Sequence, residues 1–168
     1  LDAISSADGG KLIFPKNKIF DLRSRIRFDE LISVSVKVDL NGSTLRADGS
    51  NWNGNGVLVT STNLITDQAS PPIAFYNGKL DGNGQVGRVL FGNWGDNCKV
   101  NDLTIAGGTV YQVNSKFNGG ECKRWRVAGN PTQTDNGVDC VWDNTIVDDI
   151  EVDMNGNTTE SAFWTNGS

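Results

Sequence analysis

The chain has 168 residues, enough for one domain with a sizeable core, and its 15 Lys and Arg against 20 Asp and Glu give a formal charge of −5. This acidic balance argues against a general nucleic-acid-binding protein, because neutralising phosphates requires a basic surface. Histidine is absent. Its absence excludes Ser-His-Asp and Cys-His catalysis and histidine-ligated zinc, so proton transfer near neutral pH would need carboxylates, Lys or Tyr.

The composition also bounds the cellular setting. No apolar run approaches the length of a membrane span, so we expect no membrane insertion. Three cysteines without a CxxC motif do not predict a disulfide framework, and we predict neither a metal site nor a cofactor. The chain begins at Leu1 without methionine and stops at Ser168 within its repeating pattern, which suggests a portion of a longer protein.

In chain order, we predict an entry or capping segment over residues 1–30 and stacked β-coils over residues 31–168. The sequence "LISVSVKVDLNG" alternates apolar and polar residues with the period of a half-buried strand. Its predicted inward face contains Ile32, Val34, Val36, Val38 and Leu40. Similar runs follow, each ended by Gly or Asn: "PIAFYNG", "RVLFGN", "KVNDLTIAGG", "KRWRVAGN" and "IEVDMNGN". This pattern predicts an all-β fold.

The strand terminators repeat at intervals too long for hairpins. Ile105-Ala106-Gly107 returns as Val127-Ala128-Gly129 after 22 residues, and Met154-Asn155-Gly156 follows 27 later. Upstream, Asn41-Gly42 and Asn77-Gly78 lie 36 residues apart. Periods of this length indicate a solenoid, and repeats made of strands and turns without helices favour a single-stranded parallel β-helix. We expect about five to six coils, each roughly 4.8 Å above the last.

The cysteines follow the same rhythm. Cys98, Cys122 and Cys140 are spaced 24 and 18 residues apart, and Cys98 and Cys122 are each followed by lysine. We expect the first two to stack inside the solenoid one coil apart. Buried thiols of this kind act as small apolar side chains rather than as reactive groups.

Several stretches carry a family resemblance. "GGKLIFPKNKIFDLRSRI", then "VKVDLNGSTLRADG" and later "NTIVDDIEVDMNGN" resemble the entry and coils of pectate-lyase-like right-handed parallel β-helices, especially bacteriophage tailspikes. The resemblance implies a right-handed coil and a homotrimer on a virion tail, outside the host cell. It also implies that the protein binds bacterial surface polysaccharide and frequently cleaves it. With no histidine, the Gly-His-Gly element of polygalacturonases is missing, so pectinase activity is not expected.

Carboxylates are the candidate catalytic groups. Glu151 and Asp153 are two residues apart on one strand and so share an outer face, with their Cβ atoms roughly 6.6 Å apart. Inverting glycosidases hold their two carboxyl groups at about 6.5–9.5 Å. The loop over residues 130–143, with Asp135 and Asp139, is the longest polar insertion downstream and would form the wall of a sugar cleft. The alternative is that these carboxylates are only the solvated face of a strand and its turns.

Aromatic and basic side chains are the candidate carbohydrate-binding groups, because aromatic faces stack on sugar rings and arginine pairs with anionic sugars. The candidates are Trp94, Trp125, Trp142, Trp164, Arg124 and Arg126. The alternative is that the tryptophans fill solenoid corners or seal a subunit interface. Trp125 would then point inward and leave its two flanking arginines outside.

The sequence and the resemblance together predict a tailspike-like receptor-binding protein that recognises bacterial surface polysaccharide. If it is an enzyme, we expect a glycoside hydrolase in which one carboxylate protonates the glycosidic oxygen and another activates water. Two rivals remain open. One is a non-catalytic β-helical stalk or adhesin, and the other is a secreted cellular polysaccharide lyase or hydrolase.

Overall fold

The computed structural model describes residues 10–29, 35–49, 51–52, 54, 56–62, 73–94, 97–129, 137–156 and 162–165. The regular structure of these residues consists of twelve strands and no helix. Accordingly, no helix capable of crossing a bilayer occurs in the part of the chain that the structure describes. The strands are β1 (Gly10–Ile13), β2 (Ile19–Leu22), β3 (Ile26–Asp29), β4 (Val36–Asp39), β5 (Thr44–Ala47), β6 (Val57–Thr62), β7 (Ile73–Trp94), β8 (Lys99–Asn118), β9 (Glu121–Ala128), β10 (Val138–Asp143), β11 (Ile146–Asp153) and β12 (Phe163–Thr165).

The strands pair in parallel with the strand one coil away, and the chain winds through three sheets in a fixed order. Sheet 1 contains residues 10–13, 36–39, 73–76, 99–101, 121–123 and 146–148. Sheet 2 contains 19–22, 44–47, 79–81, 103–106, 125–128 and 150–153. Sheet 3 contains 26–29, 57–62, 86–94, 108–118, 138–143 and 163–165. The result is a parallel β-solenoid of about five turns, which confirms the predicted fold class.

The corner between sheets 1 and 2 is a column of residues with left-handed backbone. Each coil places one non-glycine residue there with φ between 52° and 65°: Asn17, Asn41, Asn77, Asp102, Arg124 and Asp149. Asn and Asp tolerate this conformation better than most side chains, which explains why they terminate strands throughout the sequence. The corners also connect through the backbone, since Gly42 N donates to Asn77 O at 2.7 Å.

The core is the interior of the solenoid. Val36, Val38 and Leu40 are buried there, as the alternation of "VSVKVDL" predicts. An aromatic column runs along sheet 3, where Phe117 stacks on Trp94 with ring centroids 6.1 Å apart and on Trp142 with centroids 5.1 Å apart. Stacked aromatic pairs of this kind stabilise the fold beyond the area that they bury.

The sequence repeats correspond to successive coils, with one correction. Ile105 and Ala106 pair with Val127 and Ala128, which confirms the interval of 22 residues. The next repeat was misaligned by two residues, because Val127 pairs with Val152 rather than with Met154. Asn155-Gly156 belongs instead to the turn that follows sheet 2.

The cysteines are buried but are not stacked on one another. In sheet 1, Cys122 of β9 pairs with Val100 of the preceding coil and with Val147 of the following coil. Cys98 lies at the corner directly before β8 and is also buried. Cys140 lies in sheet 3 opposite Ser115. The prediction of burial is confirmed and the predicted Cys98–Cys122 stack is wrong, because the two coils align Gly120, not Cys122, beside Cys98.

The predicted entry segment contributes to the sheets. Residues 10–29 form β1, β2 and β3, which pair with β4, β5 and β6 of the following coil. Residues 1–9 lie outside the described part of the chain.

Candidate functional site

One outer strip of sheet 3 combines aromatic, basic, amide and acidic side chains on three successive coils. Arg88 and Phe91 lie in β7, Tyr111 and Asn114 in β8, and Asp139 in β10. Arg88 pairs in register with Tyr111, Phe91 pairs with Asn114, and Asn114 pairs with Asp139. All five side chains are half-buried. We call these five residues the sheet-3 strip.

A bend repeated in two coils produces this arrangement. In β7, Val89 and Leu90 are both buried although they are consecutive, and Gln112 and Val113 behave in the same way in β8. Two consecutive inward residues leave the positions on either side, three residues apart, on the outer face. The register between β7 and β8 also shifts just before this point, as at a β-bulge.

The buried amide of Gln112 holds the bend in β8. Its Oε1 accepts a hydrogen bond from Gly108 N at 2.9 Å, and its Nε2 donates to Gly108 O at 3.2 Å. Both polar ends of the side chain are therefore satisfied inside the fold, as burial requires. This side chain fixes the backbone that presents Tyr111.

Arg88 lies against two aromatic rings. Its guanidinium carbon is 5.0 Å from the ring centroid of Phe91 and 5.6 Å from that of Tyr111. Its Nε is buried and has no hydrogen-bond partner among the described residues. An orphaned buried donor costs about 1–3 kcal/mol, and the two cation–π contacts offset about 0.5–1 kcal/mol each. The guanidinium is thus held in place, but its N–H donors are incompletely used.

Asp139 lies at the other end of the strip. Asn114 Nδ2 donates a hydrogen bond to its Oδ2 at 2.7 Å. The backbone of Asp139 pairs in register with Trp164 of β12. The carboxylate and amide together present both acceptors and donors to the outer surface, the combination that recognises hydroxyl groups.

The other candidate carboxylates lie on a different sheet. Glu151 and Asp153 share the exposed outer face of β11, with Ile150 and Val152 half-buried between them, which confirms the predicted alternation. Glu151 is 70% exposed and pairs with Arg126 Nε at 3.1 Å. The Oδ1 of Asp153 accepts a hydrogen bond from Asn155 N at 2.8 Å and so caps the following turn.

Four carboxylates were predicted as catalytic, and the structure separates Asp139 from Glu151 and Asp153. Asp139 faces outward from sheet 3, and Glu151 and Asp153 face outward from sheet 2. Asp135 lies outside the described residues. Within the described ranges, no three His, Cys, Asp or Glu side chains are grouped so that they could hold a metal ion.

The two candidate arginines form ion pairs at or near the corner between sheets 1 and 2. Arg124 Nε donates to Asp102 Oδ1 at 2.5 Å and its Nη2 to Oδ2 at 2.8 Å. These hydrogen bonds from Arg124 lower the pKa of Asp102. Arg126 pairs with Asp149 at 3.1 Å as well as with Glu151. A ligand on this surface would have to compete with protein carboxylates for both guanidinium groups.

Two of the four candidate tryptophans belong to the core. Trp94 and Trp125 are 1% and 0% exposed, so no sugar can reach their rings in this structure, and we assign them to packing. Trp94 Nε1 donates to Ser115 Oγ at 3.3 Å and Trp125 Nε1 to Val100 O at 2.7 Å. Asn and Gly residues flank Trp94 in the sequence, and this polar context misleadingly suggested a surface position.

The remaining two tryptophans lie later in sheet 3. Trp142 is half-buried and packs against the core as the end of the aromatic column. Trp164 is in β12, where its backbone pairs with that of Asp139. Its assignment as a carbohydrate-binding residue stays a prediction.

Four residues of the strip were missed by the sequence prediction: Arg88, Phe91, Tyr111 and Asn114. A strict period of two places Arg88 and Leu90 on the same face, whereas Leu90 is buried and Phe91 lies outside. One feature of the sequence could have indicated the strip. In both "RVLF" and "YQVN", a polar or aromatic residue is followed by another one three positions later.

These features define a parallel β-solenoid with a polar and aromatic strip along one outer face. Comparison of the chain with protein-family models, with curated proteins and with solved structures found no match in any of the three.

Proposed function

We propose that the protein is a tailspike-like receptor-binding solenoid that recognises bacterial surface polysaccharide along sheet 3. The observation that carries the proposal is the sheet-3 strip. It places aromatic, amide, carboxylate and guanidinium groups on coils stacked in parallel register.

The spacing of the coils suits a linear glycan. Successive coils are separated by roughly 4.8 Å, a distance comparable to the length of one pyranose ring. A polysaccharide that runs along the solenoid axis would place about one sugar beside the strip residues of each coil. Phe91 and Tyr111 provide apolar ring surface, while Asn114 and Asp139 exchange hydrogen bonds with hydroxyl groups.

Binding has more support than cleavage. A general acid that protonates a glycosidic oxygen near neutral pH is usually a carboxyl group in an apolar, water-poor site. Glu151 is instead exposed and paired with Arg126, and Asp139 is hydrogen-bonded to Asn114. We therefore place the non-catalytic reading first. Hydrolysis by Glu151 and Asp153, which share one face of β11, is the second candidate.

The proposal includes a homotrimer on a virion tail, as the family resemblance implies. A trimer presents three copies of the strip, and repeated epitopes on a cell surface then strengthen attachment through avidity. Light scattering measures the molar mass, and a value three times the chain mass of 18.1 kDa is the expected result. A monomer would favour the secreted-enzyme alternative.

One incubation experiment distinguishes binding without cleavage from hydrolysis and from lyase activity. The protein is mixed with purified capsular and lipopolysaccharide glycans, and retention on the glycan, new reducing ends and unsaturated sugars are measured. We expect retention without either product. New reducing ends indicate hydrolysis, unsaturation indicates a lyase, and the absence of retention on every glycan would contradict the proposed function.

A further inference from the structure

Arg88 lacks the neighbouring carboxylate that several cations on the outer faces have. Lys11 pairs with Asp39, while Lys99 and Lys123 both pair with Glu121. On sheet 2, Arg46 pairs with Asp21. These cations are neutralised by neighbouring carboxylates on the same or the next coil.

No ion pair joins Arg88 to another residue in the described part of the chain. Its register neighbours are Val57 on one side and Tyr111 on the other, neither of which carries a negative charge. The acidic residue of the strip, Asp139, belongs to the second coil beyond β7, roughly 9–10 Å along the axis at the usual strand spacing. The positive charge of Arg88 is therefore partly desolvated and not compensated locally.

The aromatic contacts also limit where the guanidinium can lie. Phe91 and Tyr111 both approach its central carbon within cation–π distance. The planar guanidinium of arginine can form two parallel hydrogen bonds with the two oxygens of a carboxylate or phosphate. A hydroxyl group has only one oxygen and matches this geometry less well.

We propose that the sheet-3 strip selects acidic glycans, with Arg88 forming a bidentate ion pair with a carboxylate or phosphate on the sugar. The inference rests on the proposed function and adds the substrate class. The neighbouring sugars lie toward Asn114 and Asp139, where neutral hydroxyl groups avoid repulsion from the Asp139 carboxylate. The net charge of −5 works against acidic ligands at long range, so selectivity arises from the local contact with Arg88.

Calorimetry with three probes tests the inference: hexagalacturonate as a carboxylate source, polyglycerol phosphate as a phosphate source, and maltohexaose as a neutral glycan. We expect at least one acidic probe to bind more tightly than the neutral one. The acidic probe that binds identifies the anion. We further expect Arg88→Gln to lower acidic-probe affinity by about tenfold or more, since charge-assisted bidentate pairs are strong.

Arg46→Gln is the matched control, because Arg46 is a partly exposed cation on sheet 2 that already pairs with Asp21. It should change acidic-probe affinity less than twofold. Arg88→Lys keeps the charge without the fork and should recover only part of the affinity. If Arg88→Gln does not fold, Arg88→Lys alone carries the comparison.

The outcomes separate the two proposals. If Tyr111→Ala abolishes binding of a neutral glycan while Arg88→Gln retains binding of every probe, the inference about acidic glycans fails and the proposed function stands. Loss of acidic-probe binding in Arg46→Gln but not in Arg88→Gln would also overturn the inference. If no glycan binds the native protein, both proposals fall.

Discussion

Arg124 hydrogen-bonds through two nitrogens to both oxygens of Asp102, one coil earlier, although both residues have left-handed backbone at the same solenoid corner. The corner thus contains two non-glycine residues in a conformation that costs energy, joined by a side-chain contact between coils. In the preceding coils the same corner is made by Asn77, Asn41 and Asn17.

This pair predicts a pH-dependent contribution to stability. Hydrogen bonds from Arg124 hold the pKa of Asp102 below its ordinary value of 3.8. A carboxylate with a lowered pKa stabilises the folded state above its unfolded pKa, and that contribution is lost as the pH falls through the lowered value. We expect Arg124→Gln to reduce the free energy of unfolding at pH 7 and to have little effect at pH 2.

Urea denaturation at the two pH values measures this difference. Asp102→Asn serves as the control, because it removes the titrating carboxyl group itself and should also flatten the pH dependence. If Arg124→Gln lowered the free energy of unfolding equally at both pH values, the ion pair would not be the cause of the lost stability.

Gly120 should be the glycine least tolerant of substitution at the corner after sheet 3. Its φ is +86°, and a Cβ there would lie 2.0 Å from Cys98 O of the preceding coil. Gly84 also has positive φ but open space around its Cβ position. We expect Gly84→Ala to cost about 1–2 kcal/mol from backbone strain alone. Gly120→Ala should cost about 1–3 kcal/mol more because the coils must separate. Equal losses in urea melts would contradict the close approach.

The aromatic column should dominate the packing energy of sheet 3. Phe117 is fully buried and lies between Trp94 and Trp142. Phe117→Ala should therefore lower the free energy of unfolding by about 3–5 kcal/mol. Phe91→Ala, on the outer face of the same sheet, is the matched control and should cost less than half as much. A larger loss of the free energy of unfolding for Phe91→Ala than for Phe117→Ala would contradict the assignment of the aromatic core to the interior of the solenoid.

The buried thiols should be inert in the folded protein. Burial raises the pKa of Cys122 and that of Cys140, so the reactive thiolate is scarce at neutral pH. We expect Ellman's reagent to leave both thiols unmodified in buffer and to label them rapidly in about 6 M guanidinium chloride, a concentration that unfolds most domains. Rapid labelling in buffer would mean that the coils around these residues open readily.

The solenoid could be predicted because its geometry repeats in the sequence. Val36 and Val38 alternate with polar residues since one face of each strand lines the core, and Asn41 and Asn77 recur because the same corner needs left-handed backbone in each coil. The strip could not be predicted in the same way. It depends on two consecutive inward residues at a bend, which breaks the period-two pattern around Arg88 and Tyr111.

The tryptophans show a second limit of prediction from the sequence. Neighbouring Asn and Gly residues indicate the position of a corner, but they do not give the direction of the side chain just before it. Trp94 is the last inward residue of β7 and packs on Phe117, although Asn and Gly residues flank it in the sequence. Which side chains face the interior at a strand end depends on the register between coils.

The two tyrosines of the chain provide the most direct test of carbohydrate binding along sheet 3. Both are half-buried, but Tyr111 lies in the sheet-3 strip and Tyr76 lies on sheet 1. The affinity of Tyr111→Ala and Tyr76→Ala for the polysaccharide that the native protein retains is measured by calorimetry. Tyr111→Ala should weaken binding by about tenfold, close to the upper end of what one aromatic contact contributes, and Tyr76→Ala should leave it within twofold. Unchanged affinity in Tyr111→Ala, or a greater loss in Tyr76→Ala, would contradict the assignment of the binding surface to sheet 3.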